Sequence, residues 1–247
     1  MKTFSTLLKT ELKLSIRGLD MVIFALFMPI VVLIILGCIY GSKPAFEGAN
    51  YSFLSQSFSA VVMIAISAGG LMGLPLVISD YREKKILKKY KVTPVSPVML
   101  LTVQFCIYAI YSLVSLISLY VLGKLFFNLE INGSIFFFLL GYFLVMFSIF
   151  SIGLMVGGVA KDSKQAGAIA SLLYFPMIIF SGTTLPYEVM PKMMQNVVDI
   201  LPLTQGIKVL KSVVIGENIN NIIIPSAVMI IIFIICCSIS IKKFKWE

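Results

Sequence analysis

The sequence predicts an all-α integral membrane protein with six transmembrane helices and both termini in the cytoplasm. Three features lead to this prediction: an apolar composition, six uncharged segments of spanning length, and basic residues concentrated on alternate loops. Of the 247 residues, 59% are hydrophobic and 13% are charged, whereas soluble domains are roughly 45–50% apolar and about 25% charged. The mean hydropathy is +1.02. Most of the chain is therefore expected to be surrounded by lipid.

The six spans are segments with no charged residue in their interiors. We place them at 19–40, 53–79, 98–123, 134–160, 165–185 and 219–241. Because an α-helix rises about 1.5 Å per residue, about 20 residues cross a hydrocarbon layer of about 30 Å. The segments are apolar on all sides and do not alternate, which predicts helices rather than the strands of a barrel.

The orientation follows from the distribution of Lys and Arg. Fifteen of the 20 basic residues fall in the N-terminal segment, the loops after the second and fourth spans, and the C-terminal tail. Since cytoplasmic loops carry the excess of basic residues, both termini are predicted to be cytoplasmic. The same bias, together with anionic membrane lipid, explains the net charge of +9, so no nucleic-acid partner is expected.

Residues 1–18 predict an amphipathic helix that lies on the cytoplasmic membrane surface. The apolar residues at helical spacing are Phe4, Leu7, Leu8 and Leu12, and those on the opposite side are Lys2, Thr6, Lys9, Lys13 and Arg17. This pattern is typical of interfacial helices. An ordinary basic N-terminus is the alternative.

Residues 80–97 form the largest predicted cytoplasmic loop. Its first part contains good helix formers without Gly or Pro, and two prolines then stop the helix. A short helix here places Ile86, Leu87 and Tyr90 on one side, with basic residues around the rest. Such an apolar stripe suits docking onto a partner protein, while a solvated loop that only fixes the topology is the alternative.

Residues 186–218 form the longest segment on the outer side. Their methionines and valines recur at three- and four-residue steps, at Met190, Met193, Met194, Val197 and Val198. This spacing predicts an amphipathic helix in the outer membrane surface, and a second short helix is predicted near 206–215. We interpret the methionines as packing residues and predict no metal site. The four cysteines, all in apolar runs, are likewise expected to be unpaired packing residues.

Several kinds of chemistry are missing from the sequence. The spans have no Asp, Glu, Lys or Arg in their interiors and the chain has no His, which disfavours proton-coupled carriers and intramembrane enzymes. The chain also lacks a Walker A motif, so it is not expected to bind ATP itself. Energy for transport would then come from a partner through residues 80–97. A secondary carrier, or a membrane immunity or sensor protein that transports nothing, stays as an alternative.

Two motifs resemble the ABC-2 family of ATP-binding-cassette permeases. The stretch Arg82-Glu83-Lys84-Lys85-Ile86-Leu87, followed by Thr93-Pro94-Val95-Ser96, is similar to the family's Arg-Glu-x-Gly-x-Leu…Thr-Pro-Val-Ser segment. Lys85 stands where many members have glycine. The second motif is Ser181-Gly182 with Pro186, Pro191 and Pro202-Leu203, which is similar to the family's pattern after the fifth helix.

The resemblance implies a single membrane domain over residues 1–247 that works as one of two permease copies, identical or paralogous, above two cytoplasmic ATPase subunits. The chain itself would be non-catalytic, and ATP and Mg²⁺ would be bound by the partner. The implied coupling residues are Tyr81, Arg82, Glu83, Ile86, Leu87 and Tyr90. Residues 1–18 would be a connecting helix and the segment after Ser181 would form short re-entrant helices.

The implied function is export of an amphipathic or hydrophobic cargo, such as a drug, antimicrobial peptide, lipid or glycan, across the plasma membrane of a bacterium. The cargo would pass between the permeases, near the second and fifth spans. Independently of the resemblance, Gly69-x-x-x-Gly73 and Gly153-x-x-x-Gly157 offer small-residue faces for close helix contacts. These faces indicate either packing within one subunit, which we favour, or a dimer seam.

Overall fold

A computed structural model of the protein describes residues 2–18, 22–41, 43–46, 48–86, 95–181, 187, 190–217 and 220–243. Within these ranges the chain forms nine helices: α1 (Lys2–Gly18), α2 (Ile23–Tyr40), α3 (Phe53–Glu83), α4 (Pro97–Phe127), α5 (Ile135–Val159), α6 (Ser163–Phe180), α7 (Lys192–Val198), α8 (Pro202–Ile215) and α9 (Asn220–Lys243). Apart from an isolated bridge between Pro44 and Ser52, the same ranges contain no β-structure. The predicted all-α architecture is confirmed.

Six helices in the described ranges, α2 to α6 and α9, are long and apolar enough to cross a membrane. This confirms the predicted number of spans. Two helices continue well past the predicted spans: α3 extends beyond residue 79 to Glu83, and α4 extends beyond residue 123 to Phe127. The last residues of α3 are polar, but they are good helix formers and make contacts, described below, that hold them in the helix.

The local sequence explains where several helices begin and end. Ser52, Ser96 and Asp162 precede α3, α4 and α6, and each side chain accepts a hydrogen bond from the backbone N–H three residues later, as N-cap residues do. Helices α4 and α8 end at Asn128 and Gly216, which have φ values of 52° and 82°. These are the residue types that adopt a left-handed C-terminal conformation most easily.

Helix α3 lies in the centre of the bundle. In its most apolar 18-residue window 78% of the residues are buried, against 22% for α2 and 17% each for α6 and α9. The middle of α3 is a π-helical stretch, Ala68–Gly73, followed by Pro75. Two large, fully buried side chains, Tyr108 and Phe150, lie against it.

Two glycines of α5 allow this helix to approach α3 closely. A Cβ atom at Gly153 would lie 1.8 Å from the carbonyl oxygen of Gly70, and one at Gly157 would lie 2.9 Å from Cβ of Ile78. Gly69 in turn faces Tyr108 and Phe150 of the same chain. The small-residue faces at Gly69, Gly153 and Gly157 therefore serve packing within one subunit, as favoured from the sequence.

The outer segment contains the two short helices that the sequence predicts, α7 and α8. The predicted apolar face of the first is divided in the structure: Met190 and Val198 are buried, while Met193 and Val197 are exposed. Helix α8 packs against α3 and α9, and Gly206 lies against Met63 of α3.

Candidate functional site

Arg82 lies in the last turn of α3 and points at the end of α5. Its Nη1 donates hydrogen bonds to the backbone carbonyls of Gly157, Gly158 and Ala160, at 3.1, 2.9 and 2.7 Å. The last carbonyls of a helix have no partner within the helix and carry a partial negative charge. A guanidinium that donates to three of them therefore satisfies the C-terminus of α5 and fixes it to α3.

Glu83, the next residue, points at the start of α6. Its Oε2 accepts hydrogen bonds from the backbone N–H and the hydroxyl of Ser163, at 2.9 and 2.6 Å. The first N–H groups of a helix lack intrahelical acceptors and carry a partial positive charge, so a carboxylate is favourable there. Together Arg82 and Glu83 hold the short turn between α5 and α6 from both sides.

Tyr81 connects the same end of α3 to two further helices. Its hydroxyl donates to Oε2 of Glu11 in α1 and accepts a hydrogen bond of 2.9 Å from Nε2 of Gln104 in α4. Gln104 also donates to Oε2 of Glu11, at 3.0 Å. Glu11 and Gln104 are 7% and 4% exposed. This buried triad, formed by Glu11, Tyr81 and Gln104, fixes α1 against α3 and α4.

Glu11 and Gln104 were not identified as site residues from the sequence, although Glu11 carries a signal. It lies four residues after Leu7 and three after Leu8, so it falls on the apolar face of α1 and not among the basic residues. A carboxylate within an apolar stripe indicates a buried polar partner. A second bond on the same face, 2.9 Å from the Tyr111 hydroxyl to Oγ of Ser15, extends the contact between α1 and α4.

The chain leaves α3 through a left-handed residue. Lys84 follows the helix and forms an ion pair of 2.8 Å with Asp80, and Lys85 has a φ of 52°. Because Lys85 occupies the position where the related motif has glycine, the motif reflects a backbone conformation that glycine adopts without strain. Ile86 is the last described residue here. The predicted coupling residues Leu87 and Tyr90 lie outside the described residues, as do Thr93 and Pro94.

The predicted outer-segment residues lie at helix ends where the structure describes them. Ser181 is 1% exposed and caps the end of α6, Pro191 precedes α7, and Pro202 is the first residue of α8. Proline is favoured at the first helical position because its missing N–H would be unpaired there anyway. Gly182 and Pro186 lie outside the described residues.

A polar cluster, missed from the sequence, joins the two short helices. Nζ of Lys208 in α8 lies 2.7 Å from Oδ1 of Asp199 and 4.3 Å from the centre of the Tyr187 ring. The Tyr187 hydroxyl donates to Oδ2 of Asp199 at 3.0 Å. Burial raises the pKa of the Tyr187 phenol, so this donor stays protonated at neutral pH. The cluster stabilises the turn between α7 and α8.

Known proteins have sequences similar to that of this chain. The family model for the ABC-2 type transporter matches residues 2–215, from the start of α1 to the end of α8. Two curated relatives, each named inner membrane transport permease YhhJ, come from Escherichia coli strain K12 and from Shigella flexneri. Each is 29% identical over 172 residues, which cover 69% of this chain and 45% of the relative. The matched part of the chain thus spans less than half the length of these relatives.

The family match covers the residues that carry the contacts described above, from Glu11 in α1 through residues 81–83 to the cluster around Lys208. It extends over five of the six apolar helices and the two short helices of the outer segment. The chain therefore belongs to the ABC-2 type transporter family, as a multi-pass permease component in the cell membrane.

Proposed function

We propose that the chain is the permease subunit of an ATP-driven exporter that moves an amphipathic or hydrophobic cargo outward and is powered by a separate ATPase subunit. One observation carries the proposal. Three consecutive residues, Tyr81, Arg82 and Glu83, bond to four helices other than their own: α1 and α4 through Tyr81, α5 through Arg82 and α6 through Glu83.

The position of these residues favours a mechanical role. They come directly before the basic segment 84–96, which is predicted to contact the ATPase on the cytoplasmic side. A displacement of that segment acts first on the end of α3, and the bonds of residues 81–83 pass it to five helices at once. Packed elements with two discrete arrangements are the usual means by which a local shift becomes a change of access. ATP and Mg²⁺ would remain on the partner.

The exposed spans support a second permease copy. Helix α6 is the least apolar of the six candidate spans, yet only 17% of its most apolar 18-residue stretch is buried. Lipid is a poor environment for a helix of low hydropathy. We therefore place a second copy, and the cargo path between the two, along α6. Most of α3 is buried within its own subunit, which leaves little of it for such a path.

The test is reconstitution of the chain with its co-purifying ATPase in proteoliposomes. Glu83→Ala removes both bonds to Ser163, while Glu130→Ala makes the same substitution at an exposed position on the predicted outer side. ATP-dependent movement of an amphipathic dye is expected to fall at least tenfold in Glu83→Ala, with the ATPase still bound, and to be unchanged in Glu130→Ala.

A Leu87→Ala variant addresses the predicted ATPase contact directly. Full stimulation of ATP hydrolysis and full transport in both Glu83→Ala and Leu87→Ala would refute the coupling role. Transport by the purified chain without nucleotide would instead favour a secondary carrier, and ligand binding with no co-purifying ATPase would favour a sensor or immunity protein.

A further inference from the structure

The predicted outer end of the bundle contains a polar cavity that the coupling mechanism does not use. It has a volume of about 490 Å³ and lies between the end of α6, the turn before α8, and the start of α9. Its size falls within the range of about 300–1,000 Å³ that is usual for ligand pockets. It lies at the ends of apolar helices, where a membrane protein meets lipid head groups.

The positive and negative side chains that line the cavity are equal in number among the described residues. Asp199 and Glu217 supply two negative groups, and Lys208 and Lys211 supply two positive ones. Lys208 and Asp199 already pair with each other at 2.7 Å, so Lys211 and Glu217 are the charges outside that ion pair. A ligand with a single sign of charge would be attracted by one of these groups and repelled by the other. A zwitterion can place each of its charges against the opposite one, which is the arrangement that electrostatic complementarity favours.

Thr204 gives an independent sign of a ligand. It lines the same cavity and is 1% exposed, and its hydroxyl has no hydrogen-bond partner among the described residues. Buried hydroxyl groups are nearly always paired, because leaving one unpaired loses the hydrogen bonds it makes in water. A bound polar group would satisfy it.

An apolar groove adjoins the polar cavity. The groove has a volume of about 350 Å³ and shares Ser212 and Glu217 with the cavity. Its lining includes Phe137, Leu140 and Ile222. A polar chamber beside an apolar groove fits a molecule with a polar head and a hydrocarbon chain, and does not fit a small soluble zwitterion as well.

We propose that this cavity binds the head group of a zwitterionic phospholipid, with one acyl chain in the adjoining groove. The phosphate lies toward Lys211, the ammonium group toward Glu217, and the Thr204 hydroxyl donates to a head-group oxygen. The proposal does not depend on the coupling mechanism, because binding needs neither nucleotide nor an ATPase.

The test is a binding titration of the purified full-length chain in detergent, with bound lipid counted by native mass spectrometry. The probes are phosphatidylethanolamine, the anionic phosphatidylglycerol with the same chains, and glycerophosphoethanolamine, which is the head group alone. Phosphatidylethanolamine is expected to bind at least fivefold more tightly than phosphatidylglycerol and at least tenfold more tightly than the free head group. Equal binding of the two lipids, or of the free head group and the whole lipid, would overturn the proposal.

Variants locate the site. Thr204→Val keeps the shape of the side chain and removes the unpaired hydroxyl, so phosphatidylethanolamine should bind about fivefold to tenfold more weakly. Thr102→Val, at an exposed position of α4, is the matched control and should bind normally.

Glu217→Gln keeps hydrogen-bonding groups but leaves the described lining with one excess positive charge. It should weaken phosphatidylethanolamine binding and strengthen phosphatidylglycerol binding, a reversal that a merely structural defect would not produce. Unchanged lipid preference in both Thr204→Val and Glu217→Gln would contradict the assignment.

Discussion

Arg82 and Glu83 are neighbours in the sequence, yet they bond opposite sides of one turn between two other helices. The guanidinium meets the carbonyls that end α5, and the carboxylate meets the N–H and hydroxyl of the residue that begins α6. Each charge faces the helix end of opposite partial charge. The last turn of α3 is thereby joined to a part of the chain about 80 residues away.

Loss of the Arg82 guanidinium should destabilise the folded protein. Arg82→Gln removes the donor to three carbonyls, and hydrogen bonds to charged groups contribute roughly 1.5–3 kcal/mol. We expect the free energy of unfolding in detergent to fall by about that amount. The chain's other arginine, Arg17, is exposed on α1, and Arg17→Gln is the control. Similar unfolding transitions for the two variants would show that the carbonyl contacts contribute little.

The buried triad should control how firmly α1 is attached. Tyr81→Phe removes the hydroxyl that bonds to Glu11 and Gln104, leaving their polar groups with fewer partners. We expect amide hydrogen exchange in α1 to become about five to ten times faster, while exchange in α5 stays the same. Tyr120→Phe, at the other end of α4, is the matched control. Normal protection of α1 in Tyr81→Phe would mean that the triad contributes little to its attachment.

The contact between α5 and α3 should not tolerate a methyl group. In Gly153→Ala the new Cβ would fall within the carbonyl oxygen of Gly70, so the helices must separate, and overpacking of this kind costs about 1–3 kcal/mol. Gly167→Ala is the control, since its Cβ would meet only a side-chain carbon of Leu76 at 3.4 Å. In thermal unfolding, Gly153→Ala should have a lower transition temperature than Gly167→Ala. An equal or higher transition temperature for Gly153→Ala would refute the close approach of the two helices.

The turn after α3 should gain stability from glycine at one position only. Lys85 has a left-handed backbone, which costs an L-residue about 1–2 kcal/mol. Glycine removes this cost but adds conformational entropy to the unfolded chain, which offsets part of the gain. Lys85→Gly should therefore raise the free energy of unfolding by up to about 1 kcal/mol. Lys84, with a φ of −75°, is the neighbouring control, and Lys84→Gly should lower it. A reversed order in chemical denaturation would argue against this backbone conformation.

The number and type of spans could be predicted from the sequence because each span is an uninterrupted apolar run, and burial in lipid demands such runs whatever their neighbours are. The helix starts at Ser52, Ser96 and Asp162 are also local, since each depends on a side chain and an N–H three residues away. The lengths of the spanning helices were harder to predict. The end of α3 is polar in sequence, which predicts a loop, but its side chains find partners in other helices.

The partners of the site residues could not be predicted, for a physical reason. Residues 81–83 are identifiable as a motif, but their bonds go to Glu11, to Gln104 and to backbone groups near Ser163, which are distant in the sequence. Backbone carbonyls carry no sequence signature at all. The π-helical stretch Ala68–Gly73 likewise cannot be predicted from hydropathy, although its glycines indicate close packing. The roles of residues 81–83 and of Leu87 toward an ATPase stay predictions.

The near contact of Gly153 with Gly70 has a consequence for how the subunit can change shape. Where main chain touches main chain, no flexible side chains lie between the helices to accommodate sliding, and a shift of either helix would break the fit. Helices α3 and α5 are therefore expected to move together as one rigid pair. A displacement that reaches the end of α3 would then carry α5 with it, instead of sliding one helix along the other.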